Sequence, residues 1–314
     1  MARQRKRKGD PISGWLNLFK PVDMTSTQAV AILKRKFNAQ KVGHGGTLDP
    51  LADGILPIAF GEATKTVQWA MDAEKEYVFT ICWGVSTASQ DAEGEVTATS
   101  DARPTREQVE DLLKDYLGTI EQVPPKFSAI KVDGQRAYDL ARDGEEFELT
   151  SREVQVYEAA VIGMPDADHT VIHVTSGKGF YVRAMARDLA FDLGCEGHIS
   201  QLRRTRVGVF GAPQAVALSR IEETDDKEEL LSLLQPVHAI LEDIPQIDIS
   251  REEARDIRQG RAIVLLPHIV EQWREAAAGA EEYDRAAIAI CSGQAVALGD
   301  VRAGRFEPSR VFTH

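Results

Sequence analysis

One carboxylate, Asp49, stands inside the segment Gly43–Pro57 (GHGGTLDPLADGILP), with Gly43, Gly45 and Gly46 before it and Pro50 directly after. Glycine opens left-handed backbone angles and lets a neighbouring chain approach the backbone. Proline fixes the next φ and removes an N–H. The expected product is a rigid turn holding one acid among small and apolar residues. Such an acid serves one of two ends. Asp is a favoured helix N-cap and Pro a favoured first helical residue, so residues 49–54 read as one capped turn. A carboxylate held still can also do chemistry, and nothing within the segment chooses between the two. His44 is likewise either a hydrogen-bonded loop residue or a group with a role at a site. Asp53 is the only second carboxylate close by, and glycoside hydrolysis needs such a pair about 5–10 Å apart.

The elements that must position these residues read as mixed α and β. Trp15–Phe19 is expected as a short strand. Thr25 and Gln28 have capping-box spacing, and Val30, Leu33 and Phe37 then fall on one helical face. Residues 77–85 predict a strand rich in aromatic and β-branched residues. Thr105 and Gln108 repeat the capping box before Val109, Leu112, Leu113 and Tyr116, with Gly118 as the stop. Val171–Thr175 predicts a strand broken by Ser176-Gly177-Lys178-Gly179, and 182–193 a helix that stops at Gly194. Residues 126–152 are irregular and carry both signs of charge, as an insertion or arm would. Ile244-Pro245 marks a boundary. The final stretch of about 70 residues, near the lower limit for an independent core, predicts a capped helix over 250–260 and strands over 286–291 and 295–298.

At 314 residues the chain holds one large or two ordinary domains. Its 43% hydrophobic and 27% charged content is that of a globular protein with a full core. No apolar run approaches the roughly 20 residues that span a bilayer, and MARQRKRKGD has no apolar segment for a secretory signal. Cys82, Cys195 and Cys291 are too scattered for a zinc site or a disulfide framework, which fits a reducing cytoplasm. Net charge is −12, yet Lys178, Arg183, Arg187, Arg203, Arg204 and Arg206 crowd one stretch, which raises the expectation of a basic face for phosphates. The basic run at 3–8 reads as a solvated tail. No P-loop and no dinucleotide fingerprint occurs, because Gly43-x-Gly45 lacks a third glycine at the required spacing.

Several separated blocks, taken in order, say more than any one. Lys20-Pro21 with Thr25-Ser26, the Gly43–Pro57 segment, and Gly61-Glu62-Ala63-Thr64-Lys65 open the series. Lys75-Glu76-Tyr77, Pro124-Pro125-Lys126-Phe127-Ser128-Ala129-Ile130-Lys131, Gly179-Phe180-Tyr181-Val182-Arg183 and Gln201-Leu202-Arg203-Arg204-Thr205 complete it. Over about residues 14–210 this resembles the bacterial tRNA pseudouridine synthase B family, with only a weak likeness in 244–314. Asp23 departs from it, standing where the family usually has glycine. The resemblance implies an α+β chain with the pseudouridine synthase fold: a central mixed, mostly antiparallel sheet flanked by helices, and a small C-terminal PUA-like β domain. It divides the chain into a basic tail (1–12) expected to be disordered, a catalytic domain (13–243) with an RNA-clamping insertion (126–152), and the PUA-like domain (244–314).

The chemistry implied by the resemblance is isomerisation of the T-loop uridine at tRNA position 55. The N1–C1′ bond breaks, the uracil turns, and the bond reforms through C5, with no cofactor and no metal. The target base must leave its stack for a pocket. On this likeness Asp49 is the catalytic carboxylate, attacking sugar or base or taking a ribose proton to give a glycal. Arg183 pairs with it. Tyr77 stacks on the uracil, and Tyr181 and Leu202 line the pocket. His44 helps the flipped loop, and Lys20 and Lys65 lie near the site. The implied partner is the tRNA T stem-loop, without guide RNA or membrane, for a monomer in the cytoplasm. Three alternatives remain open: a guide-dependent rRNA synthase with the same core, an RNA-binding module with a vestigial site, and a glycoside hydrolase using Asp53.

Overall fold

The computed structural model describes residues 9–313, except 129, 133–134, 138–139, 141–144, 146 and 278–284. The expectation of a disordered tail therefore lies outside the described residues for 1–8, as does much of the expected arm. Residues 9–12 pair with 38–40: the Asp10 N–H donates to the Asn38 carbonyl at 2.6 Å and the Gln40 N–H to the Asp10 carbonyl at 3.0 Å.

A mixed, mostly antiparallel sheet runs through the first three quarters of the chain. Its strand order is Val216–Ala217, Gly14–Lys20, Asp53–Phe60, Gly197–Val207, Lys75–Trp83, His169–Ser176, Arg152–Asp166 and Gly118–Gln122. Only the first pair and the contact of Asp53–Phe60 with Gly197–Val207 are parallel. The strands Gly14–Lys20 and Asp53–Phe60 are apolar on both faces because both faces are covered. Leu16, Leu18, Leu56 and Ile58 belong to the apolar cluster that also takes in Leu33, Val109, Met185 and Leu189 from the helices Ser26–Lys36, Arg106–Leu113 and Val182–Asp192. The alternate residues Trp15, Ile55 and Ala59 enter a second apolar cluster with Phe210, Ile240, Ile288, Ile290 and Phe312. Successive side chains of a strand point to opposite faces, so one pair of strands joins both clusters.

Ile288 and Ile290 belong to, and Phe312 directly follows, a five-stranded sheet ordered Gln246–Asp248, Ala286–Cys291, Gln294–Arg302, Arg305–Val311 and Ile263–Val264. This C-terminal β domain has its own core, with Ile257, Trp273, Val296 and Phe306. It is also tied to the larger sheet by polar contacts. Lys65 Nζ donates to the Val311 carbonyl at 2.7 Å, and the Thr313 N–H to Glu62 at 2.7 Å. Arg310 lies over the Trp69 ring at 5.1 Å. Among the described residues no helix is long and apolar enough to cross a membrane.

Both capping boxes form as the spacing predicts, at Thr25 and Thr105. The strand expected over 77–85 instead covers 75–83, because Gly84 at φ +88° turns the chain. The turn expected over 49–54 closes once and does not continue as a helix. The Asp49 carbonyl accepts from the Ala52 N–H at 3.2 Å, closing one turn, and the chain leaves it extended as the strand Asp53–Phe60. Seven paired positions with Gly14–Lys20 outweigh a local preference for a helix start.

Candidate active site

The Asp49 turn is held from several sides. Gly45 donates its N–H to the Pro57 carbonyl at 2.8 Å, and a Cβ there would lie 2.6 Å from Ala70 Cβ. Gly46 has φ +120°, a left-handed angle that disfavours other residues. Leu48 is buried, and its N–H and C=O both bond the Ser26 hydroxyl at 2.9 Å. Pro50 accepts from the Asp23 N–H at 2.9 Å, and Asp23 adopts φ +60°. The departure from glycine at position 23 thus keeps a glycine-like backbone, which Asp tolerates better than most residues.

Arg204 supports the turn from below. It is 2% exposed, with Nε on the Ile55 carbonyl at 2.7 Å, Nη1 on Thr47 at 3.1 Å and Nη2 on Gly46 at 3.1 Å. Its own backbone packs on Gly54 (φ +109°), where a Cβ would overlap the Arg204 carbonyl oxygen. The parallel register Arg204↔Gly54 requires this close approach.

The Asp49 carboxylate is half-buried and meets Arg183, whose Nη2 lies 2.9 Å from Oδ2. Arg183 is 5% exposed and nearly saturated. It donates to the Ser89 carbonyl at 3.0 Å and the Phe127 carbonyl at 2.9 Å, and lies 3.7 Å from the buried Asp91 carboxylate. One guanidinium therefore joins the Asp49 turn to two other segments.

Asp49 and Arg183 open onto a cavity of about 270 Å³, lined also by Tyr77, Tyr181, Leu202, Phe180 and Lys75. Register explains the grouping. Tyr77 stands opposite Arg204, and Leu202 opposite Phe79, on adjacent central strands. Tyr181 immediately precedes the helix that carries Arg183. The pocket has an apolar wall of aromatic and aliphatic side chains, with the Asp49–Arg183 pair and Lys75 as charged groups in its lining, a composition suited to a planar ring beside a carboxylate.

Three residues expected near the site lie outside that lining. Lys20 is fully buried beneath the turn, donating to the Pro21, Met24 and Pro50 carbonyls at 2.8, 2.7 and 3.5 Å. Burial pushes its amine down to about 8, against the opposing pull of Asp53 and Asp49. Its place is under the Asp49–Pro50 turn and not on a phosphate. Lys65 pairs with Glu62 at 2.7 Å and reaches the C-terminal β domain. His44 is largely buried, its Nδ1 has no hydrogen-bond partner, and burial with the nearby Arg204 charge lowers its pKa.

The expected basic stretch divides between core and surface. Arg203 grips Asp53 with two bonds of 2.8 and 2.6 Å, Arg206 meets Glu76 at 2.8 Å, Lys178 meets Asp72 at 3.2 Å and Arg187 meets Asp188 at 2.7 Å. Arg183 and Arg204 are buried, whereas Lys178 and Arg203 stay largely exposed beside their carboxylate partners. The same Arg203 pair occupies Asp53, the carboxylate that a glycosidase reading would need.

The description "TruB family pseudouridylate synthase (N terminal domain)" matches residues 34–182, and "tRNA pseudouridylate synthase B C-terminal domain" matches 183–242. A protein named tRNA pseudouridine synthase B from Caulobacter vibrioides is 54% identical over 98% of both chains. The chain belongs to the TruB family of pseudouridylate synthases. Proteins of the same name from Agrobacterium fabrum and Brucella melitensis are 48% and 46% identical, covering 99% and 100% of this chain and 98% and 99% of theirs. Among solved structures, one chain of a Cbf5-Nop10-Gar1 complex superposes with TM-score 0.69 at 24% identity, covering 96% of this chain and 85% of that one. One chain of an archaeal box H/ACA Nop10-Cbf5 complex gives 0.66 at 21%, covering 99% and 93%. These two establish the fold, which is that of pseudouridine synthases.

In this TruB-family chain, residue-by-residue reasoning missed Arg204, Lys75 and Asp91. Lys75 lines the cavity and donates to the Met71 and Ala73 carbonyls at 2.6 Å each, with burial pushing its amine down to about 8. Their signal was weak, since each sits in a run of charged or polar residues that reads as surface.

Proposed function

We propose that this TruB-family chain isomerises uridine to pseudouridine in tRNA, at position 55 of the T loop, acting on the T stem-loop without a guide RNA. The observation that carries the reading is the Asp49–Arg183 pair at 2.9 Å on the rim of a cavity walled by Tyr77, Tyr181 and Leu202. The target uridine leaves its stack and enters this cavity, where Tyr77 and Leu202 sandwich the base. Asp49, held by Arg183, acts at the sugar or base so that the N1–C1′ bond breaks. The uracil turns, C5 bonds to C1′, and the proton on C5 is lost while N1 regains one, so the product is an isomer. The relatives' shared name and nearly complete coverage support tRNA as the substrate.

The same reading assigns 13–243 to catalysis and 244–314 to a PUA-like RNA-binding domain, in a monomer that works in the cytoplasm. His44 sits under the turn beside Arg204 and acts on the flipped loop through that turn.

The test is tritium release from C5-labelled uridine in a T stem-loop transcript, with wild type and Asp49→Asn side by side. Wild type releases tritium with no other macromolecule added. Asp49→Asn binds the RNA but does not turn it over. Substantial release by Asp49→Asn would sink the assignment of the carboxylate, and none by wild type would sink the activity.

A further inference from the structure

The cavity wall that carries Tyr181 belongs to a loop. Residues 177–181 connect the strand His169–Ser176 to the helix Val182–Asp192, which starts without a side-chain cap. Gly177 and Gly179, the latter at φ +82°, give this loop little stiffness of its own. Yet the loop must place both the Tyr181 ring and, two residues on, the Arg183 guanidinium.

One side chain supplies the missing constraint. Gln122 ends the outermost strand, Gly118–Gln122, and is 1% exposed. Its Oε1 accepts from the Tyr181 N–H at 2.8 Å and its Nε2 donates to the Tyr181 carbonyl at 3.1 Å. The amide pairs with Tyr181 as the peptide of a neighbouring strand would, and Tyr181 is extended, with φ −118° and ψ 114°. The same carbonyl accepts from the Met185 N–H at 3.1 Å and so opens the first helical turn. Arg152 closes the other side, its guanidinium 5.0 Å from the Tyr181 ring centre and its Nη2 on the Gly179 carbonyl at 2.7 Å. Beyond Gln122, the Val123 carbonyl takes Arg187 at 3.0 Å and the Phe127 carbonyl takes Arg183 at 2.9 Å. The segment 122–127 thus runs along the start of the helix and holds it at three places.

We propose that Gln122 is a positioning residue for the isomerisation. Its side-chain amide fixes the Tyr181 backbone, and through it the ring against the base and the aim of Arg183 at Asp49. This rests on the functional reading above. Only a neutral group that both donates and accepts can make the two bonds. Methionine makes neither, and an ionised glutamate sets negative charge against the Tyr181 carbonyl. A protonated glutamate has one O–H donor and one acceptor, and burial raises its pKa against the opposing pull of Arg152, which stands opposite position 122 on the next strand.

The experiment compares wild type, Asp49→Asn, Gln122→Met and Gln122→Glu in single-turnover tritium release at saturating T stem-loop RNA. RNA affinity and folded fraction are measured on the same samples. Gln122→Met lowers the rate per folded molecule by about 10- to 100-fold, the scale of a misplacement near 1 Å, with a much smaller change in affinity. Gln122→Glu recovers relative to wild type as pH falls from about 8 to about 6, as its carboxyl protonates. A merely structural role would lower the folded fraction and leave the rate per folded molecule and the pH ratio unchanged. That result overturns the proposal. If Gln122→Met does not fold, the pH ratio of Gln122→Glu decides alone. An inactive wild type refutes the functional reading instead, whereas active wild type with inactive Asp49→Asn and a fully active Gln122→Met refutes only the role of Gln122.

Discussion

Arg204→Lys is the substitution that most directly tests how the Asp49 turn is built. The charge and most of the volume are kept, but the fork is lost. In wild type three different guanidinium nitrogens reach the Ile55, Thr47 and Gly46 carbonyls at 2.7, 3.1 and 3.1 Å. These nitrogens stand at three separate points of the fork, so the one nitrogen of Arg204→Lys, although it has three donors, is expected to keep one carbonyl at its present distance. Two bonds from a charged donor, at about 1.5–3 kcal/mol each, put the loss of stability at about 3–6 kcal/mol. That is a large share of the ~5–15 kcal/mol that holds a typical domain together. The two abandoned carbonyls belong to the residues that lead into Asp49, so the turn shifts as well as weakening, and turnover falls by about 100-fold. Urea unfolding followed by circular dichroism gives the first quantity, and tritium release below the unfolding midpoint gives the second. A variant within about 0.5 kcal/mol of wild type, the range of an ordinary surface change, with normal turnover, would refute the claim that this buried arginine holds the Asp49 turn.

The glycines of the same segment separate by environment. Gly54→Ala forces a Cβ into the Arg204 backbone at φ +109° and costs about 3 kcal/mol or more, whereas Gly43→Ala, with nothing within 4 Å of the new carbon, leaves the urea midpoint nearly unchanged. Lys20 makes stability depend on pH. Its amine is at about 8 when folded and near 10.4 when unfolded, so between these values the unfolded chain binds more protons and raising the pH favours folding. Wild type therefore gains about 2–3 kcal/mol on Lys20→Met between neutrality and pH 10. Parallel pH profiles of the two unfolding free energies would contradict the burial of that amine.

Local patterns of sequence determined much of the framework. The two capping boxes, the helix over 182–192 and the strand over 286–291 follow from neighbours in the chain, because caps and periodic faces are local physics. The likeness of ordered blocks likewise pointed to Asp49, Tyr77 and Arg183 together, although no one block could. Tertiary structure alone decided how charge is used. Arg203, Arg204 and Arg206 are consecutive or nearly so, and their run reads as a face for phosphates. Alternation separates Arg204, in the core against three carbonyls, from Arg203 on Asp53, and an irregularity in strand register between Arg204 and Arg206 gives Arg206 to Glu76. The same holds for Asp49, whose local sequence favours a helix cap. Pairing of the next eight residues in the sheet removes the helix and leaves the acid on a turn facing Arg183. Short-range preference is worth about 1 kcal/mol, and several strand pairings with full burial outweigh it. A sequence shows which residues can carry charge or hold a turn, and only the packed fold shows which partners reach them.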